Sequence, residues 1–126
     1  MNIMLVEDDP TDLKLLSAVL HSSGHRVHGM NSAEQAVEEI NACQPEMILL
    51  DLKLPGMDGL ALARRLKTEP YTRRIPIVAI TSAGEDYTRQ KALNAGCDAY
   101  ILKPVNTREL SDQVASVVAC PPKAPE

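Results

Sequence analysis

The feature that most constrains this chain is a rhythm. Five short apolar runs recur at intervals of about two dozen residues, and a segment of helical period follows each one. The runs are Ile3 to Val6, Arg26 to Met30, Met47 to Leu50, Ile77 to Ile80 and Ala99 to Leu102. Strand alternating with helix in this way implies an α/β fold: a parallel sheet with right-handed crossovers and helices on both faces. Polarity orders the strands. Runs one, three and four are almost wholly apolar, as strands covered on both sides must be, whereas runs two and five are weaker or end in polar residues and belong at the edges. That pattern agrees with order 2-1-3-4-5, the three-layer flavodoxin-like (βα)5 arrangement, in which ligands bind beyond the carboxyl ends of the strands, between strands one and three.

Boundary signals support the assignment. Asp9-Pro10 reads as an N-cap followed by proline in the first helical position, with Gly24 at that helix's end. Ser32 with Gln35, and Asn106 with Glu109, read as capping boxes; Pro45 closes the exit of the second helix. Gly96 stands just past a helix expected over Glu85 to Ala95. The last helix carries the stripe Leu110, Val114, Val117 and Val118. Residues 1–119 are thus expected to form one domain, and residues 120–126, rich in proline, a stiff tail or linker stub.

Composition narrows the function. Three tyrosines are the only aromatics, and 13 basic residues against 17 acidic ones leave a charge of −4. A basic groove with stacking rings is absent, so direct nucleic-acid contact by this domain is not expected. Cys43, Cys97 and Cys120 are widely spaced and odd in number, which fits free thiols in a reducing compartment better than disulfides. The N-terminus has no basic, apolar leader pattern and no apolar run approaches membrane-spanning length, so a cytoplasmic protein without membrane contact is expected. His21, His25 and His28 lack a nearby cysteine or acidic partner and make a poor zinc site.

The strand ends carry the chemistry. Strand one runs into Glu7-Asp8-Asp9, strand three ends in Asp51, strand four in Thr81, and strand five leads to Lys103-Pro104. Strands one and three are expected to be neighbours, so their carboxylates converge, and like charges this close call for a cation. An all-oxygen acidic set suits Mg²⁺. A rim carboxylate beside a metal can attack phosphorus, and the charge that develops on the equatorial oxygens would be met by Mg²⁺, Lys103 and the Thr81 hydroxyl. Asp9 is assigned mainly to capping.

Four segments resemble one known family. Met4-Leu5-Val6-Glu7-Asp8-Asp9, Ile48 to Gly59 (with Asp51-Leu52-Lys53-Leu54-Pro55-Gly56 at its centre), Ile77 to Ser82 and Gly96 to Pro104 are similar to the response-regulator receiver domains of two-component signalling, and the likeness covers Ile3 to Ala119. The resemblance implies that Asp51 is the phosphoacceptor and that Glu7, Asp8, Asp51 and the backbone carbonyl of Lys53 hold Mg²⁺. It implies that Thr81 and Lys103 contact the phosphoryl group, that Tyr100 turns inward with Thr81 on activation, and that the Lys103–Pro104 peptide is cis. The implied donor is a histidine kinase or phosphotransfer protein, and the implied output is an effector protein meeting the face of strand five and its flanking helices. The chain is then no enzyme toward a separate substrate. It catalyses its own phosphorylation and, because Ala83 offers no group to orient water, only slow dephosphorylation.

Other readings compete. A haloacid-dehalogenase-type phosphatase needs a second aspartate where Lys53 stands, and a flavodoxin's phosphate would be repelled by Glu7-Asp8-Asp9. No glycine-rich nucleotide motif is present. A receiver-like binding module that is never phosphorylated remains the alternative, as does a receiver fragment of a larger regulator or hybrid kinase. The start at strand one favours a stand-alone regulator, and a proline-rich end is what a linker also looks like.

Overall fold

The computed structural model describes residues 1–119 apart from Pro55, Met57, residues 83–88 and Pro104, and describes only the backbone at Ser111, Val118 and Ala119. The expectations placed on Ala83, on the Lys103–Pro104 peptide, on Cys120 and on the tail of residues 120–126 lie outside the described residues.

Ten elements alternate along the chain: β1 (Asn2–Val6), α1 (Pro10–Ser22), β2 (Arg26–Met30), α2 (Ala33–Cys43), β3 (Met47–Asp51), α3 (Gly59–Thr68), β4 (Ile77–Thr81), α4 (Arg89–Asn94), β5 (Ala99–Leu102) and α5 (Leu110–Ala119). The strands form one parallel sheet in the order β2-β1-β3-β4-β5, so the two weaker runs do lie at the edges. Successive residues of each central strand enter opposite cores, as a period of two requires. Ile3, Leu5, Met47, Leu49, Val78 and Ile80 face α1 and α5, where they meet Leu16, Leu20, Leu110 and Val114. Met4, Val6, Ile48, Leu50, Ile77 and Ala79 face the other way, toward Ala36 and Ile40 of α2, Leu62 and Leu66 of α3 and Ala92 of α4. Aliphatic side chains fill most of both layers, joined by Met4, Met30, Met47 and Cys97, with partly buried Tyr100 packed against the second; each Val, Leu, Ile or Met contributes roughly 1.5–3 kcal/mol on full burial.

The caps form largely as the sequence predicts. Asp9 accepts from the Thr11 amide at 2.9 Å, and Ser32 accepts from Gln35 at 3.1 Å. The Gln35 side chain returns the contact one residue early, to the Asn31 amide at 2.8 Å. The second box forms differently. Asn106 Oδ1 accepts from the Arg108 amide at 3.0 Å, residues 107–109 make a turn, and α5 starts at Leu110. Gly24 and Gly96 take positive φ of 92° and 101° where their helices end. Of the helix expected over Glu85 to Ala95, α4 is described over Arg89–Asn94 and Ala95 lies in the turn that follows; residues 83–88 lie outside the described residues.

Candidate functional site

Register assembles the site. Val6 pairs with Leu50, so the chain leaves β1 and β3 at the same level, with Glu7 beside Asp51. Asp51 pairs with Ile80 and Thr81 with Leu102, which brings Thr81 and Lys103 to the same rim. Backbone bonds lock these exits: Glu7 N–H donates to Met30 O at 2.9 Å, Leu52 N–H to Ile80 O at 3.2 Å and Lys103 N–H to Thr81 O at 2.8 Å. Both carboxylates are deeply placed, Glu7 at 1% exposure and Asp51 at 5%. Asp8 stands in solvent beside them.

One carboxylate oxygen from each of Glu7, Asp8 and Asp51 lies within 4.8 Å of the others, the one such acidic grouping among the described residues. None of the three histidines joins it. The Lys103 ammonium sits among the carboxylates, 2.7 Å from Glu7 Oε1, 3.1 Å from Asp12 Oδ2 and 3.4 Å from Asp51 Oδ2. Asp51 Oδ1 accepts from the Lys53 amide at 3.0 Å. Thr81 is fully buried, and its hydroxyl donates to Ser82 O at 3.3 Å. Tyr100 is half-buried at β5, and the Arg89 guanidinium lies 5.8 Å from its ring centroid.

The electrostatics follow from burial. Burial pushes the Glu7 carboxyl up to about 8, the neighbouring Asp51 adds to the rise, and Lys103 opposes it. Burial disfavours the charge on Lys103, but its bonds to Glu7 and Asp12 and the nearby charges of Asp51 and Glu7 outweigh that and hold the ammonium above its ordinary range. A single ammonium thus leaves the buried acidic group under-compensated. The donors are all oxygen and close together, which fits a small hard cation.

The structure therefore gathers Glu7, Asp8, Asp51 and Lys103, with Thr81 on the adjoining strand end and Tyr100 further along β5. Lys53 meets Asp51 through its amide. Asp12 is a partner the sequence reading missed. An acid in the first turn of a helix reads as a charge placed against the helix dipole, and nothing local marks it as a neighbour of Lys103. Gly59 was also missed. A Cβ there would stand 2.6 Å from Leu52 Cα and 2.7 Å from Asp51 O, so the start of α3 can lie against the end of β3 only without a side chain.

Comparison with known proteins places this arrangement. The family described as the response regulator receiver domain matches residues 3–115. The phosphate regulon transcriptional regulatory protein PhoB of Escherichia coli K12 is 35% identical over 116 residues, which are 92% of this chain and 51% of PhoB. The signal transduction histidine-protein kinase BarA of Shigella flexneri is 33% identical over 110 residues, 87% of this chain and 12% of BarA. The chain thus spans about half the length of the first of these curated relatives and a small part of the second. Among solved structures, the receiver domain of a sensor histidine kinase from Pseudomonas aeruginosa PAO1 superposes with a TM-score of 0.84 at 32% identity, covering 93% of this chain and 96% of that one. That structure holds a magnesium ion coordinated in its active-site cleft.

Proposed function

The chain belongs to the response-regulator receiver domain family, and on that premise we propose that it is a Mg²⁺-dependent phosphoacceptor of a His-to-Asp phosphorelay, phosphorylated on Asp51. The observation that carries the reading is the meeting of Glu7, Asp51 and Lys103, from three separate strand ends, within hydrogen-bonding distance of one ammonium. Glu7, Asp8, Asp51 and the Lys53 carbonyl would hold the metal, which when bound offsets the carboxylate charge and that of an incoming phosphoryl group.

The chain's own residues account for the rest. An Asp51 carboxylate oxygen forms a bond to phosphorus as the phosphorus–nitrogen bond of a phosphohistidine breaks, and the departing imidazole takes a proton. The Lys53 amide fixes the rotamer of Asp51 by holding Oδ1. The Lys103 ammonium, already beside Oδ2, meets charge on the phosphoryl oxygens. The Thr81 hydroxyl exchanges Ser82 O for a phosphoryl oxygen, and this turn makes room for Tyr100 to move inward, biasing a two-state equilibrium at β5 and its flanking helices. The donor is a histidine kinase or phosphotransfer protein, and an effector protein reads the β5 face. In this reading the domain itself binds protein partners rather than nucleic acid; PhoB, a transcriptional regulatory protein, is spanned only in part. No helix among the described residues is long and apolar enough to cross a membrane, which accords with a cytoplasmic setting.

Acetyl phosphate with Mg²⁺, read by intact mass, tests the proposal. The wild type should gain one phosphoryl group, and neither Asp51→Asn nor the wild type in EDTA should. No gain in the wild type supports a receiver-like module that only binds partners, and an equal gain in Asp51→Asn places the phosphoryl elsewhere. After donor removal the adduct should persist for minutes; loss within seconds refutes the slow dephosphorylation expected from Ala83.

A further inference from the structure

Lys103 has a competitor for its charge. Its ammonium lies closer to Asp12 Oδ2, at 3.1 Å, than to Asp51 Oδ2, at 3.4 Å. Asp12 occupies the third position of α1, where an acid ordinarily serves the helix's own free amides. Here Asp9 serves the first turn instead, its side chain accepting from the Thr11 amide, while the Leu13 amide makes the first regular helical bond to the Asp9 carbonyl. The Asp12 carboxylate reaches across the rim instead, to a lysine 91 residues along the chain. It also lines a cleft of about 380 Å³ between α1 and the segment after β5, with Leu15, Leu16, Ser82, Lys103 and Val105.

We propose that Asp12 is a positioning residue that holds the Lys103 ammonium toward α1 in the resting protein, in competition with a phosphoryl group on Asp51. The inference rests on Asp51 being the phosphoacceptor. A bound metal would engage Glu7 and Asp51, so Asp12 is the carboxylate left free of it to contend for Lys103. Each phosphorylation must therefore draw the ammonium from Asp12, and the fixed negative charge at the cleft wall opposes the incoming one. Both effects set the phosphorylated state at a lower population than Glu7, Asp51 and Lys103 alone would give. Asp12 is 37% exposed at its side chain, so water and salt moderate the effect.

The test is a titration of the full chain with acetyl phosphate in Mg²⁺, read by intact mass, for wild type, Asp12→Asn and Asp12→Glu. Asp12→Asn keeps shape and polarity without charge, and its half-maximal acetyl phosphate concentration should fall roughly three-fold, the size expected of a partly exposed ion pair. Asp12→Glu restores the charge and should return the value toward wild type. A charge acting only on the helix dipole alters the urea midpoint and leaves the titration where it was, so an unchanged or higher half-maximal concentration in Asp12→Asn overturns the proposal. So does Asp12→Glu behaving like Asp12→Asn. A wild type that takes up no phosphoryl refutes the function proposed above and this inference with it, whereas a normal wild type with an unmoved Asp12→Asn refutes this inference alone.

Discussion

Replacing Gly59 with alanine should damage the site from behind. The new Cβ would meet Leu52 Cα at 2.6 Å, Asp51 O at 2.7 Å and Leu52 O at 2.9 Å. Every one of these atoms is backbone, so no flexible side chain can swing aside. Ordinary contact begins near 3.4 Å, so α3 and the end of β3 must separate by several tenths of an ångström. The separation strains the Gly59 N–H to Leu52 O bond of 3.1 Å and the Asp58 cap on Leu60. Overpacking of this kind costs about 1–3 kcal/mol, and backbone contact puts it at the upper end. Alanine recovers up to about 1 kcal/mol through helix propensity. The net loss is about 2 kcal/mol, which at this length lowers Tm by roughly 6–10 °C. Melting followed by circular dichroism reads it, with Gly24→Ala as the comparison. Gly24 has φ +92° and nothing within 4 Å of where a methyl would stand, so its loss is backbone strain without collision. Phosphoryl uptake from acetyl phosphate should also slow in Gly59→Ala, because Asp51's own carbonyl is pushed, and stay unchanged in Gly24→Ala. A Tm within about 2 °C of wild type for Gly59→Ala, or normal uptake, would refute the close-approach argument.

Three further outcomes follow from other parts of the molecule. Lys67→Met should lower stability by about 2 kcal/mol in urea, because Lys67 Nζ donates to Asp98 Oδ2 at 2.8 Å and Ile75 O at 3.0 Å; a midpoint equal to wild type would show the pair to be idle. The Cys97 thiol is buried and pushed up to about 12 by that burial, with Asp98 adding to it, so at pH 8 it stays protonated. Residue-resolved mass spectrometry after alkylation should find Cys97 unmodified in native protein and modified in urea; native labelling would contradict this placement. Magnesium at ten times its dissociation constant should stabilise the fold by about 1.4 kcal/mol, reversed by EDTA and diminished in Asp8→Asn; an equal gain in Asp51→Asn would move the cation away from this cluster.

What was legible in the sequence and what was not divides along the range of the interaction. Strand order could be read because burial on two faces leaves a long apolar run, and β1, β3 and β4 show it while Arg26–Met30 and the short Ala99–Leu102 show it more weakly. The strand-end residues could be read for the same reason: each lies where an apolar run stops, and parallel register then brings Glu7 level with Asp51. The caps at Asp9 and Ser32 are local and formed as expected, yet the Asn106–Glu109 spacing serves a turn as well as a box, and the turn won. Asp12 escaped because its partner is set by how α1 is rotated against the end of β5, a quantity that no local pattern encodes. Gly59 escaped because it answers to the approach of two backbones and lies outside the positive-φ set that turn chemistry predicts. The donated bond of Thr81 to Ser82 O was invisible for a third reason: it depends on a side-chain rotamer that residue order does not encode. Residue types at strand ends therefore specify which groups meet there, while the packing of α1 and α3 against those ends sets the contacts that Lys103 and Asp51 make.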